Sequence, residues 1–176
     1  MSFLDTSHPL RELISSVVAD EGFALYDVEL LSPRALRMSI CSRSGQEVEA
    51  LDGKTNRGVS VGDCGRVLRR LMILFQAEGE QYGLAPEPEL DVSSPGINRS
   101  LRLPEHFEAA QGERIKLVLK PNRELEVEAG KVSNTLLGKI QEYREGMVTV
   151  LDEATSSPWS VSLEDIKRAN VEFQFS

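Results

Sequence analysis

The residues of this chain that could do chemistry are few: two histidines, two cysteines and a serine-proline-glycine segment that leads to an arginine. His8 and His106 have no histidine or cysteine three or four residues on, and Cys41 and Cys64 are too few for a disulfide framework or a cysteine metal site. No HExxH, CxxC, GxSxG or phosphate-loop pattern is present, and no histidine lies near Ser93 or Ser94 in sequence to activate a serine nucleophile. The residues therefore point to recognition rather than catalysis, with no metal and no cofactor. Two groups carry it: Ser93, Ser94, Gly96 and Arg99 on a turn, and Arg66, Arg69 and Arg70 around Ile73. Hydroxyls and guanidinium groups donate hydrogen bonds to phosphate or to a partner's backbone, and arginine can do so bidentately.

Each group also has a structural reading. Proline pushes Ser94 toward an extended conformation, and Pro95-Gly96 fits the two central positions of a type II turn. Ser93 and Ser94 then either close local backbone hydrogen bonds or face a partner. Arg99 either pairs with Asp91 or reaches a partner phosphate. At 100° per residue, Arg66, Arg69 and Arg70 fall opposite the Cys64/Leu68/Leu71 face of a helix, with Ile73 in the middle of the stripe. That stripe is either a solvated face or a contact patch. Cys64 sits on the apolar face, which suits a buried thiol rather than a nucleophile.

A helix over 7–21 precedes these residues, with Leu10, Leu13, Ile14, Val17 and Val18 on one face. Ser7 or Thr6 caps its start, Pro9 fits its first turn and Gly22 stops it. Tyr26, Val28 and Leu30 alternate with Asp27 and Glu29, and after Ser32-Pro33-Arg34 the alternation resumes at Leu36, Met38 and Ile40, giving a hairpin. The polar stretch 42–59 reads as a flexible loop or an extended hairpin. Ser60, with Asp63 three residues later, opens a second helix whose buried face is Cys64, Val67, Leu68, Leu71 and Phe75. Gln76 to Glu89 reads as a connection, and Leu90 and Val92 form a third strand. The fold class is α+β, with an α-β-β-α-β two-layer domain over residues 1–103.

Residues 104–176 form the second domain. Pro104 to Ala110 makes a short helix ending at Gly112. Short alternating runs follow at Ile115–Leu119, Leu125–Val127, Leu137–Tyr143 and Val148–Val150, separated by turn signals at Pro121-Asn122, Gly130 and Glu145-Gly146. Trp159, Val161 and Leu163 offer a further strand, with Trp159 as a core residue. One helical turn within Ser162–Arg168 precedes a last strand through Val171, Phe173 and Phe175. Several short strands of even spacing suggest a small barrel.

The formal charge is -8, from 20 Lys/Arg against 28 Asp/Glu. Residues 1–103 hold 11 cations and 15 anions and residues 104–176 hold 9 and 13, so each part carries -4. Binding bare nucleic acid draws on counterion release by clustered cations, which neither part supplies in excess. A negative field attracts a basic polypeptide instead. No apolar run approaches the roughly 18 residues of a membrane span, and the start, with Asp5 and no basic segment, does not read as a signal peptide. A reducing cytoplasm is the expected setting, with no membrane partner.

The ordered segment Leu90-Asp91-Val92-Ser93-Ser94-Pro95-Gly96-Ile97-Asn98-Arg99-Ser100-Leu101 resembles the LEVSSPGxDRPL signature of the bacterial ribosome maturation factor RimP family. Asp91 stands for the usual Glu, Asn98 for Asp, Ser100 for Pro, and Pro88 where the family commonly has Tyr. Asp63-Cys64, Arg69, His106-Phe107 and Gly138 also match family positions, and Ile166-Lys167-Arg168-Ala169 loosely matches its closing I-x-K-A. Gly138 is expected to allow a sharp bend, and His106 to lie at the surface or a junction. The stretch 42–59 is longer than in the family.

This resemblance implies a non-enzymatic assembly factor with an SH3-like or Sm-like carboxy-terminal barrel, and a monomer is expected. The implied partner is the immature small (30S) ribosomal subunit, near the basic ribosomal protein of the decoding centre and adjacent rRNA. The alternative is a free-standing RNA-binding module with an Sm-like domain, which should carry a basic strip and lose affinity steeply with salt.

Overall fold

In a computed structural model, the chain is described at residues 2–42, 48–49, 55–56, 59–96, 99–121, 123, 125–128 and 131–172. It divides into two compact units, Met1–Pro95 and Gly96–Ser176. Both mix sheet and helix, so the chain is α+β with few helices.

The first unit starts with a two-residue strand, β1 (Ser2–Phe3), too short to leave an alternating pattern in the sequence. Helix α1 (Pro9–Asp20) follows. His8 caps it, rather than Ser7 or Thr6, because its ring nitrogen Nδ1 accepts from the Leu10 N–H at 3.2 Å. Gly22, at φ +90°, takes the left-handed conformation that ends the helix, as expected. Strands β2 (Phe23–Ser32) and β3 (Ala35–Ser42) form the expected hairpin around Pro33-Arg34. A short pair, β4 (Val48–Glu49) with β5 (Thr55–Asn56), lies within the 42–59 stretch; the rest of that stretch falls mostly outside the described residues.

Helix α2 (Val61–Glu78) opens on the capping box that its sequence announces. The Ser60 hydroxyl accepts from the Asp63 N–H at 3.1 Å, and the Asp63 carboxylate accepts from the Ser60 N–H at 2.9 Å. That backbone bond, with the Ser60 side chain and Arg66, holds the Asp63 carboxyl below its ordinary 3.8. A carboxyl with a lowered folded value stabilises above its unfolded value, and the contribution is lost as pH falls through the folded one. The cap therefore weakens below a pH of about 4. Ser60→Ala should cost about 1 kcal/mol at neutral pH; urea denaturation with no shift in midpoint would contradict the cap.

Val67, Leu71 and Phe75 bury the inner face of α2, with Cys64 half-buried beside them. Leu74 joins this core, whereas the expected Leu68 is half-buried outside it. The helix runs past Gln76 to Glu78 and continues as a 3-10 turn over Gly79–Tyr82, where a connection was expected. No breaker intervenes before Gly79, and the buried Leu84 rewards the continuation. Strand β6 (Glu89–Ser93) then pairs parallel to β3, giving the sheet order β1-β2-β3-β6. Val28, Leu36, Met38 and Ile40 of the sheet pack with Leu10, Ile14, Val17 and Val18 of α1 and with the buried face of α2 in one core.

The second unit begins with the short α3 (Pro104–Ala109), and Gly112 at φ +85° follows it. Strands β7 (Arg114–Leu119), β8 (Leu125–Glu128), β9 (Lys131–Ser133), β10 (Thr135–Arg144), β11 (Met147–Asp152), β12 (Pro158–Ser162) and β13 (Ile166–Val171) come next. Five of them form an antiparallel sheet in the order β12-β11-β10-β7-β13, while β8 and β9 pair separately. The 3-10 turn Leu163–Asp165 supplies the helical turn expected before the last strand, which begins at Ile166. Phe173 and Phe175, expected to extend that strand, lie outside the described residues, as do Asn122 and Gly130 of the turn signals.

Glu145 (φ +50°) and Gly146 (φ +79°) both lie in the left-handed region, the conformation of a two-residue type I′ hairpin. Strand β10 pairs with β7 over Thr135–Lys139 and with β11 over Gly138–Arg144, so it changes partner around Gly138. Ile115, Leu117, Leu119, Leu136, Ile140, Val148 and Val150 form the core, against which the half-buried Trp159 packs.

Candidate partner-binding site

Ser93 ends β6 in register with Ser39, and both Ser93 and Ser94 are exposed. Neither hydroxyl has a hydrogen-bond partner among the described residues, so the local bonds considered for them are not made. Gly96 takes φ +81°, the left-handed value that the third position of a type II turn requires. Ile97, the fourth residue of such a turn, and Asn98 after it lie outside the described residues. The two hydroxyls therefore stand next to a backbone position that glycine accommodates without strain, with their donors and acceptors available.

Arg99 behaves differently. Its guanidinium is mostly covered and pairs with Glu113. Asp91, the partner considered from sequence, pairs instead with Arg37, Oδ2 to Nε at 3.5 Å. Backbone bonds hold Arg99 as well: its carbonyl accepts from the Val171 N–H at 2.9 Å, and the Leu101 N–H donates to the Ala169 carbonyl at 2.8 Å. Arg99 thus first anchors the segment 99–101 along β13.

The arginine stripe of α2 is divided in the same way. Arg70 donates to Glu21 at 2.9 Å and to Asp20 at 3.3 Å, tying α2 to the end of α1. Arg66 lies 3.0 Å from Asp63 and 3.7 Å from Glu21, with its guanidinium 6.0 Å from the Phe23 ring centre. Arg69 is exposed and has no ion pair among the described residues. Next to it on the same face Ile73 is 70% exposed and Met72 43% exposed. Arg69, with no ion pair among the described residues, thus stands beside two exposed apolar side chains and is flanked by two braced arginines. Met72 adds to the residues expected from sequence, and its place one position before Ile73 is the signal for it.

The remaining candidates serve the fold. Burial pushes the Cys64 thiol up, and the neighbouring Asp63 carboxylate adds to this, which disfavours a thiolate. His106, expected at the surface or a junction, is buried at 3% exposure. Its Nδ1 accepts from the N–H groups of Arg102 and Leu103, both at 3.0 Å, and so satisfies donors at the start of α3. A side-chain acceptor two residues after Pro104, at the third helical position, was the sign of that role. Gly138 answers a close approach: a Cβ there would lie 1.9 Å from the Leu151 carbonyl oxygen. Among the described residues, no group of three or more His, Cys, Asp or Glu could hold a metal ion, and no helix is long and apolar enough to cross a membrane.

No protein-family model matches the chain. Comparison with curated proteins does find relatives. Ribosome maturation factor RimP of Acidovorax sp. (strain JS42) is 30% identical over 159 residues, covering 89% of this chain and 73% of that protein. This chain belongs to the RimP family of ribosome maturation factors. RimP of Paracidovorax citrulli (strain AAC00-1) is 28% identical over 162 residues with the same coverage. RimP of Polaromonas naphthalenivorans (strain CJ2) is 33% identical over 114 residues, 63% of this chain and 51% of that protein. The matches thus extend well beyond the twelve residues that first pointed to the RimP family.

Proposed function

We propose that this chain is a non-enzymatic ribosome assembly factor that binds immature small (30S) ribosomal subunits in the cytoplasm and assists their maturation, working as a monomer. Its partners are the basic ribosomal protein of the decoding centre and the adjacent rRNA. The observation that carries this reading is the 30% identity to a ribosome maturation factor over 73% of that protein's length. In this reading, residues 1–103 act as an α-β-β-α-β layer and residues 104–176 as an SH3-like or Sm-like barrel. The mechanism is holding rather than chemistry. A body of net charge -8 attracts a basic ribosomal protein and screens it until rRNA folds around it. Ser93 and Ser94 beside Gly96, and Arg69 with Ile73, are the groups that touch the partner. Arg66, Arg70 and Arg99, already engaged by carboxylates, position them.

The contact surface is tested by Arg69→Glu/Ile73→Glu. Both side chains are exposed, so the variant should keep its melting temperature while its affinity for immature small subunits falls about tenfold or more, the loss of roughly 1.4 kcal/mol or more. Filter binding that gives an unchanged dissociation constant would remove the α2 face from the site.

A further inference from the structure

Strand β6 is an edge of the first sheet, next only to β3. The Glu89 N–H donates to the Arg34 carbonyl at 2.7 Å, and Glu89, Asp91 and Ser93 pair with Ala35, Arg37 and Ser39. Successive residues of a strand aim their backbone groups to opposite sides, so the N–H and C=O groups of Leu90 and Val92 face away from β3. No described residue bonds to them. Such an open row is a template for another extended chain.

The side chains in register across the sheet say which chain fits. On one face, Glu29 of β2, Arg37 of β3 and Asp91 of β6 form a row of alternating charge, with Arg37 3.9 Å from Glu29 and 3.5 Å from Asp91. A strand added outside β6 would continue that alternation with a cation opposite Asp91. In the adjoining registers, Leu30-Leu36-Leu90 and Val28-Met38-Val92 are rows of apolar side chains that pack with the core, and a strand added outside β6 would extend each row with an apolar side chain. Exposed Glu87 and Glu89 add negative charge, and residues 76–92 contain no Lys or Arg. Two copies of β6 set edge to edge would bring like charges together, which disfavours self-pairing.

We infer that the β6 edge binds an extended polypeptide segment in which Lys or Arg alternates with apolar residues, added to the sheet as a fifth strand. The inference concerns the backbone edge of β6 at Leu90 and Val92, apart from the α2 face, although Ser93 of the proposed contact surface ends the same strand. Its test contains no ribosomal material, so it and the proposed function can fail independently.

The test uses the full chain and synthetic decapeptides. A peptide alternating Lys and Val should bind and slow hydrogen exchange of the Leu90 and Val92 amides about tenfold or more. The same peptide methylated at every backbone nitrogen keeps its charge but cannot pair, and should bind about tenfold more weakly or worse. Glu89→Lys/Asp91→Lys should reverse the preference toward a peptide alternating Glu and Val. Absence of binding, equal binding of the methylated peptide, unchanged exchange at Leu90 and Val92, or protection of these amides by self-association alone would each overturn the inference. The methylated comparison leaves the protein unaltered, so it decides the matter even if the double variant unfolds.

Discussion

Gly138→Ala should unfold the Gly96–Ser176 unit. The added methyl would lie 1.9 Å from the Leu151 carbonyl oxygen and 2.8 Å from its carbon, far inside the roughly 3.3–3.6 Å of a close C–H···O contact. Both obstructing atoms are backbone, so no rotamer change relieves the clash. Gly138 is also paired on both sides, with Asp152 of β11 and Ile115 of β7, and β10 cannot back away without breaking a ladder. Overpacking in a core commonly costs about 1–3 kcal/mol, and a clash with fixed backbone at a doubly paired position belongs at or beyond the top of that range. Trp159, the only tryptophan, packs against this core and reports on it directly. The variant's Trp159 emission should resemble that of the urea-unfolded chain, or its denaturation midpoint should fall steeply. A midpoint equal to that of the unaltered chain would show that β10 and β11 are not this close.

Asp27→Ala should destabilise the Met1–Pro95 unit nearly as severely. Arg11 of α1 and Asp27 of β2 are both buried and meet at 3.0 Å. Arg11 also donates to the Leu4 carbonyl at 3.3 Å, and Asp27 accepts from the Val28 N–H at 3.0 Å. Removing the carboxylate takes the Asp27 counter-charge from a buried guanidinium, and breaking such a pair costs about 3–5 kcal/mol, a large part of the roughly 5–15 kcal/mol that holds a domain together. Amide exchange at Met38 and Ile40 of β3 should accelerate accordingly. Arg11→Met/Asp27→Leu removes both charges and should recover most of the loss. A cost below about 1 kcal/mol for Asp27→Ala would mean that the pair is solvated rather than buried.

These two sites also show where sequence reading succeeds and where it stops. The capping box at Ser60 and Asp63, the β2-β3 hairpin and the strand over 89–93 are local events, written in residue types a few positions apart. Asp27 was hidden by the same alternation that revealed its strand, because a polar residue between apolar ones reads as solvent-facing. A register shift between Leu25 and Asp27 leaves Asp27 and Val28 both buried, and the opposite charge that Asp27 meets lies 16 residues away. Gly138 was legible as a special position but not its cause, since the Leu151 carbonyl arrives from another strand.

The candidate site divides along the same line. The residue order from Leu90 to Leu101 was enough to suggest the family. Which arginines are uncommitted was not readable, because Asp20 and Glu21 lie some 50 residues from Arg70 in sequence, and Glu113 lies 14 from Arg99. Arg66 and Arg70 stay exposed but engaged by carboxylates, and Arg69, Ile73 and the two serine hydroxyls are the exposed members of the prediction that are unengaged among the described residues.

The most direct measurement is sedimentation of the purified chain with immature and with mature small ribosomal subunits, at matched concentrations and moderate salt. Co-migration with the immature particles and little or none with the mature ones is the predicted result. Equal recovery with both, binding to bare rRNA alone with a steep salt dependence, or no co-migration would contradict it.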